Sequence, residues 1–171
     1  MSRLLSPKVA FYFLFLAILD GTVMPAFQVL GVYPSFLYLF ICYAAFEWGS
    51  PKTLYVAFWA GLFRDLLGGG VIGLEATLLT ALALALDFVV QKMERELPGI
   101  YFLITFVFVF CAGSLRLLFG GIGEFSASLA AGAFGLIALT ALYTSAVFPF
   151  FDFMTNRWLG RNHTKQFELF P

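Results

Sequence analysis

Five ionisable residues, Asp20, Arg64, Asp65, Glu75 and Arg116, stand inside stretches of otherwise apolar sequence. A charged side chain at the centre of a bilayer costs about 2.5 to 3.5 kcal/mol on insertion scales, so such residues face a protein interior or a watery cavity and pair with one another. Carboxylates and guanidiniums in that setting can lock helices in register through buried ion pairs. They can also line a polar pocket for a ligand, and the two arginines can instead snorkel to the head groups. Other chemistry lacks the residues to carry it. The single histidine, His163, lies in the tail, and there is no H-E-x-x-H, no G-x-S-x-G and no Walker loop. Gly68-Gly69-Gly70 is a turn cluster with no lysine after it to hold a phosphate. Asp20 with Asp65 lacks the signature of an intramembrane aspartyl protease. Cys42 and Cys111 sit in apolar runs without metal spacing and read as small buried hydrophobes. The expectation is no catalytic residue, no metal and no cofactor.

The elements that position these groups follow from composition. Of 171 residues 61% are hydrophobic and only 12% charged, with 23 phenylalanines and a mean hydropathy of +0.93. Soluble domains average about 25% charged residues, so this is a membrane composition. A net charge of zero gives no basic surface for nucleic acid. Arg3 and Lys8 followed by an apolar run resemble a signal peptide, but no A-x-A-like cleavage site follows, so an uncleaved first span is expected. No stretch outside the apolar runs is long enough to fold alone, which makes residues 1–171 one transmembrane domain.

Six spans are expected: 9–27, 32–46, 53–67, 71–90, 100–119 and 125–151, separated by Gly- and Pro-rich breaks. The second and third, at fifteen residues each, reach roughly 22 Å against a hydrocarbon core of roughly 30 Å. Either neighbours cover them or their loops dip into the membrane, which points to an all-α bundle with a polar pocket. With the N-terminus inside, the cytoplasmic side holds Arg3, Lys8, Lys52, Lys92, Arg95, Arg157, Arg161 and Lys165, and the outer loops near 28–31, 68–70 and 120–124 hold no lysine or arginine. That asymmetry predicts both termini in the cytoplasm.

On this layout all five buried charges fall in the outer half of the bilayer, with Glu124 just beyond. Arg64 and Asp65 diverge by about 100° on one helix, so Arg64 is expected to meet Glu75 or Asp20, and Arg116 to meet Asp65. Small residues mark close-approach faces. Ala57, Gly61, Asp65 and Gly69 recur every four residues on the third span. Ala127, Ala131 and Gly135 do so on the sixth, beside Ser128 and Gly132, and the fourth carries Ala76, Thr77, Thr80, Ala81 and Ala85. Such a stripe packs either within the bundle or against a partner helix. The uncharged sixth-span stripe is the one free to face outward.

The run Ala57-x3-Gly61-x3-Asp65-x7-Gly73, the "VYPSFLYLFICYAAF" second span, the length and the short basic tail resemble the rod shape-determining protein MreD family over nearly the whole chain. This chain has Ser35 where that family usually carries an acidic residue after the second-span proline. The resemblance implies a non-enzymatic scaffold for cell elongation in the bacterial inner membrane. Its implied partners are MreC, the actin-like MreB, the RodA glycosyltransferase and a class B penicillin-binding transpeptidase. The family is also similar to the six-helix, substrate-binding S components of energy-coupling-factor importers, and a binding subunit of such an importer is the second reading.

Overall fold

The segment from Leu37 to Phe46 has no charged residue on any face, and a helix without a polar stripe has to be surrounded. In the computed structural model, which describes residues 7–23, 26, 28, 31–68, 72–92, 99–120 and 127–159, that is its position. Six helices run in the order α1 (Pro7–Thr22), α2 (Phe36–Glu47), α3 (Lys52–Gly68), α4 (Leu74–Lys92), α5 (Ile100–Gly120) and α6 (Ala127–Leu159), and no strand occurs among the described residues. Every residue of α2 from Leu37 to Phe46 is buried, and α2 touches each of the other five helices. Around this post α3 packs on α4 and α5 on α6 as two antiparallel pairs, while α1 closes the side against α2 and α3.

The phenylalanines do the filling. Phe40 of α2 lies edge-on to Tyr12 of α1 and to Trp48, with ring centroids 5.8 and 5.7 Å away. Such pairs add about 0.5 to 1.5 kcal/mol each beyond the area they bury. At one end of the bundle a polar ladder ties α1 and α2 to α6. The hydroxyls of Tyr12 and Thr155 bond at 2.9 Å, and the Tyr43 hydroxyl donates to Asn156 Oδ1 at 3.0 Å.

The outside of the bundle is as apolar as its core. Phe11, Phe150, Phe153 and Trp158 are each about two-thirds exposed, a surface that water does not tolerate and lipid does. Leu74–Lys92, Ile100–Phe119 and Gly132–Leu159 are long and apolar enough to cross a membrane. The other three fall short of that length: α1 has 16 residues, α2 has 12 and α3 has 17. The six helices thus occupy the six apolar runs, but crossing by length and composition belongs to three. Three boundaries differ by four residues or more from the expected ones, and one is the start of α2, at Phe36 rather than Val32. α1 stops at Thr22 rather than continuing to Phe27, and α6 runs on past Phe151 to Leu159 with Pro149 inside it. A proline in a packed apolar helix loses one backbone bond without ending the helix, because neighbours satisfy the freed carbonyl. Gly69, Glu124, Arg3, Arg95, Arg161, His163 and Lys165 lie outside the described residues, as do the side chains of Ala127 and Ala131.

Candidate functional site

The site starts with a helix that has no cap of its own. α4 begins after Ile72 and Gly73, neither of which offers a side-chain oxygen to the first free amides. Gly73 takes a φ of +94°, a conformation that only glycine adopts readily. The acceptor comes from α3. Asp65, 5% exposed, takes the N–H of Gly73 at 2.8 Å and that of Ala76 at 3.2 Å on Oδ2, and the N–H of Glu75 at 3.0 Å on Oδ1. These include the N2 and N3 amides that a local N-cap side chain would serve. Gly61, one turn earlier, lets α3 come this close. A Cβ there would stand 2.4 Å from Ala76 Cα and 2.7 Å from the Glu75 carbonyl oxygen.

With α4 fixed, Glu75 becomes the centre of the charge cluster. Its Oε2 accepts from Arg64 Nε at 2.7 Å, and its Oε1 forms an ion pair with Arg116 Nε at 2.8 Å. Arg64 Nη1 donates to Ser35 Oγ at 3.0 Å and lies 3.9 Å from Asp20 Oδ2. Ser35 Oγ in turn donates to Asp20 Oδ2 at 3.1 Å, and the Phe36 N–H donates to Asp20 Oδ1 at 2.7 Å. Asp20 thereby meets the first amide of α2 as Asp65 meets those of α4. The Arg64 guanidinium also stands over the Tyr38 ring, 4.4 Å from its centroid.

The expected pair between Arg116 and Asp65 does not form. Asp65 has spent both oxygens on the amides of Gly73, Glu75 and Ala76, the last two of them buried, and a buried amide left unserved carries its full desolvation cost. Arg116 therefore shares Glu75 with Arg64. Sequence reasoning also passed over Ser35 and Tyr38, which complete the surroundings of Arg64. Asp87, which the sequence places near the inner surface with no role beyond the interface, is instead buried at the far end of α4 and accepts from the Ser50 N–H at 2.9 Å and Gln91 Nε2 at 2.7 Å. The available signal was a helix start without Ser, Thr, Asp or Asn, which announces an acceptor from elsewhere.

This assembly holds helices together. Both oxygens of Glu75 are engaged by guanidiniums and both of Asp65 by amides, so neither is a free base. Among the described residues no three His, Cys, Asp or Glu side chains gather as metal ligands do. Asp65→Ala should lower stability by about 2 to 3 kcal/mol, one for each of the two orphaned buried amides at the low end of their cost and less for the part-buried amide of Gly73. Asp65→Asn, which keeps one acceptor oxygen, should lie between alanine and wild type. Thermal melts of the purified protein in detergent check this; wild-type melting in both variants would refute the capping role.

A family model described as rod shape-determining protein MreD matches residues 1–157. The chain belongs to that family. It is accordingly a rod shape-determining membrane protein, and every residue of the charge cluster lies within the MreD match. In this MreD-family chain the run Ala57-x3-Gly61-x3-Asp65-x7-Gly73 has a physical meaning: Ala57 and Gly61 give the close approach, Asp65 the cap and Gly73 the turn that receives it. The sixth-span stripe is placed differently. Gly132 and Gly135 are exposed on α6, and a Cβ at either meets nothing within 4 Å. Comparisons with curated proteins and with solved structures give no match, so the resemblance to importer S components gains no support from them.

Proposed function

We propose that this MreD-family chain is a non-enzymatic scaffold, one six-span transmembrane unit of the bacterial inner membrane with both termini in the cytoplasm. It holds MreC and so couples MreB filaments to the RodA glycosyltransferase and the class B penicillin-binding transpeptidase that build the wall. The family match over residues 1–157 carries this reading. The basic residues of the short loops support the orientation. The arrangement of the cluster supports a scaffold, since its carboxylates are turned on arginines and amides of the same bundle and the outer faces are left apolar. Only lipid or another helix covers such faces, and backbones approach closely where side chains are small. The open face of α6 at Gly132 and Gly135, in line with Ala127 and Ala131, is the groove this proposal assigns to the transmembrane helix of MreC.

Co-purification from detergent tests it. Full-length protein should bring down MreC, and Gly135→Leu should lose it while melting within about 2 °C of wild type, since a surface change away from packed contacts stays within about 0.5 kcal/mol; Ala131→Leu should lose it too. Binding retained by both variants would take the groove off α6, and no MreC with the wild type would remove the scaffold reading itself.

A further inference from the structure

A guanidinium carries five N–H donors, and the cluster leaves several of them unspent. Arg116 sets Nε 2.8 Å from Glu75 Oε1, but its side chain is half exposed, and its two terminal nitrogens meet no acceptor among the described residues. Arg64 is more enclosed and keeps Nη2 without a partner among them. Beside both arginines lies a cavity of about 360 Å³. Arg64, Arg116, Ser35 and Tyr38 line it, whereas Asp20, Asp65 and Glu75 do not. The cluster as a whole has more carboxylates than cations, yet the wall it shows the cavity is cationic. Val109 and Leu117 of α5 and Leu136 and Ile137 of α6 make an apolar wall of the same space.

Ligand sites run from about 300 to 1,000 Å³ and combine an apolar wall with a few convergent polar groups. This one is at the small end, with room for a head group and its first carbons. Unspent guanidinium donors call for oxyanions, which they hold in charge-assisted bonds, and the apolar wall calls for hydrocarbon attached to them. We propose that the cavity binds the phosphate head group of an anionic membrane amphiphile, with Arg116 as the contact residue and Arg64 behind it. Two sources share the phosphate chemistry, a lipid and the free ion; the apolar wall favours the lipid. The site holds whichever helix face meets MreC, and a failed MreC co-purification leaves it standing.

The test uses the full-length protein in an uncharged detergent and reads the melting temperature against added dihexanoyl phosphatidylglycerol, dihexanoyl phosphatidylcholine or inorganic phosphate. Phosphatidylglycerol should raise the melting temperature saturably, phosphatidylcholine should not, and phosphate should act only at far higher concentration. Arg116→Gln should weaken the phosphatidylglycerol effect at least about tenfold, the loss of a bond to a charged group, and Arg116→Lys should keep part of it. Ala133→Leu, which narrows the cavity and leaves every charge in place, should weaken it too, and decides alone if Arg116→Gln fails to fold. Equal effects of the two lipids would overturn the proposal, and so would equal potency of free phosphate or full binding by Ala133→Leu. Binding that appears only in Glu124→Gln would also overturn it, because Arg116 would then belong to Glu124.

Discussion

Glu75→Ala should destabilise the protein by about 3 to 5 kcal/mol, the range for removing one partner of a buried ion pair. Glu75 is 7% exposed and serves two arginines through separate oxygens. The shares are unequal. The Arg64 side chain is 17% exposed and the Arg116 side chain 50%, so solvent can compensate Arg116 and the larger cost comes from Arg64. Glu75→Gln keeps one oxygen for one arginine and turns an amide N–H₂ toward the other, so it should fall between. The decisive comparison is a double-mutant cycle followed by denaturation in detergent. Arg64→Ala in the Glu75→Ala background should cost much less than in wild type, because the guanidinium it deletes has already lost its closest carboxylate and keeps only Asp20 at 3.9 Å. Additive losses would mean that the two side chains do not depend on each other.

The bundle could be read from the sequence because its determinants are one-dimensional. Six apolar runs separated by turn residues have no choice but to form helices, and a run with no charge on any face, such as 37–46, has to lie in the middle. The convergence of Asp20, Arg64, Glu75 and Arg116 was legible for the same reason: each sits at a similar depth in its run. Which carboxylate meets which cation was not. Counting charges treats the side chains as the only partners, whereas Asp65 and Asp20 turn to backbone amides at the starts of α4 and α2. Those amides become available only once it is fixed where each helix begins and how high it stands beside its neighbour. Ser35 illustrates the point from the other side. As a departure from an acidic position it looks like a loss, but in space its hydroxyl bridges Asp20 and Arg64. The end of α6 was hidden differently: the apolar run gives way to polar residues after Phe151, and two of those, Thr155 and Asn156, find their partners in Tyr12 of α1 and Tyr43 of α2.

Gly61→Ala, one added methyl group, should be as damaging as the loss of a charge. The new Cβ would sit 2.4 Å from Ala76 Cα, 2.6 Å from Ala76 N and 2.7 Å from the Glu75 carbonyl oxygen. All three are backbone atoms, so no rotamer change relieves the contact and α3 must move away from α4. Overpacking alone costs about 1 to 3 kcal/mol. The separation also stretches the Asp65 bonds to the start of α4, now 2.8 to 3.2 Å, and shifts Glu75 relative to Arg64. With part of the capping energy lost as well, a total of at least about 3 kcal/mol is expected. Gly135→Ala is the internal control. It makes the same chemical change in a helix, gains the same helix propensity of up to about 1 kcal/mol, and meets nothing within 4 Å, so it should melt at or slightly above wild type. The sign of the difference tests the assignment of the two stripes. If Gly61→Ala melts with Gly135→Ala, α3 and α4 are not in backbone contact there, and Asp65 cannot be the cap of α4.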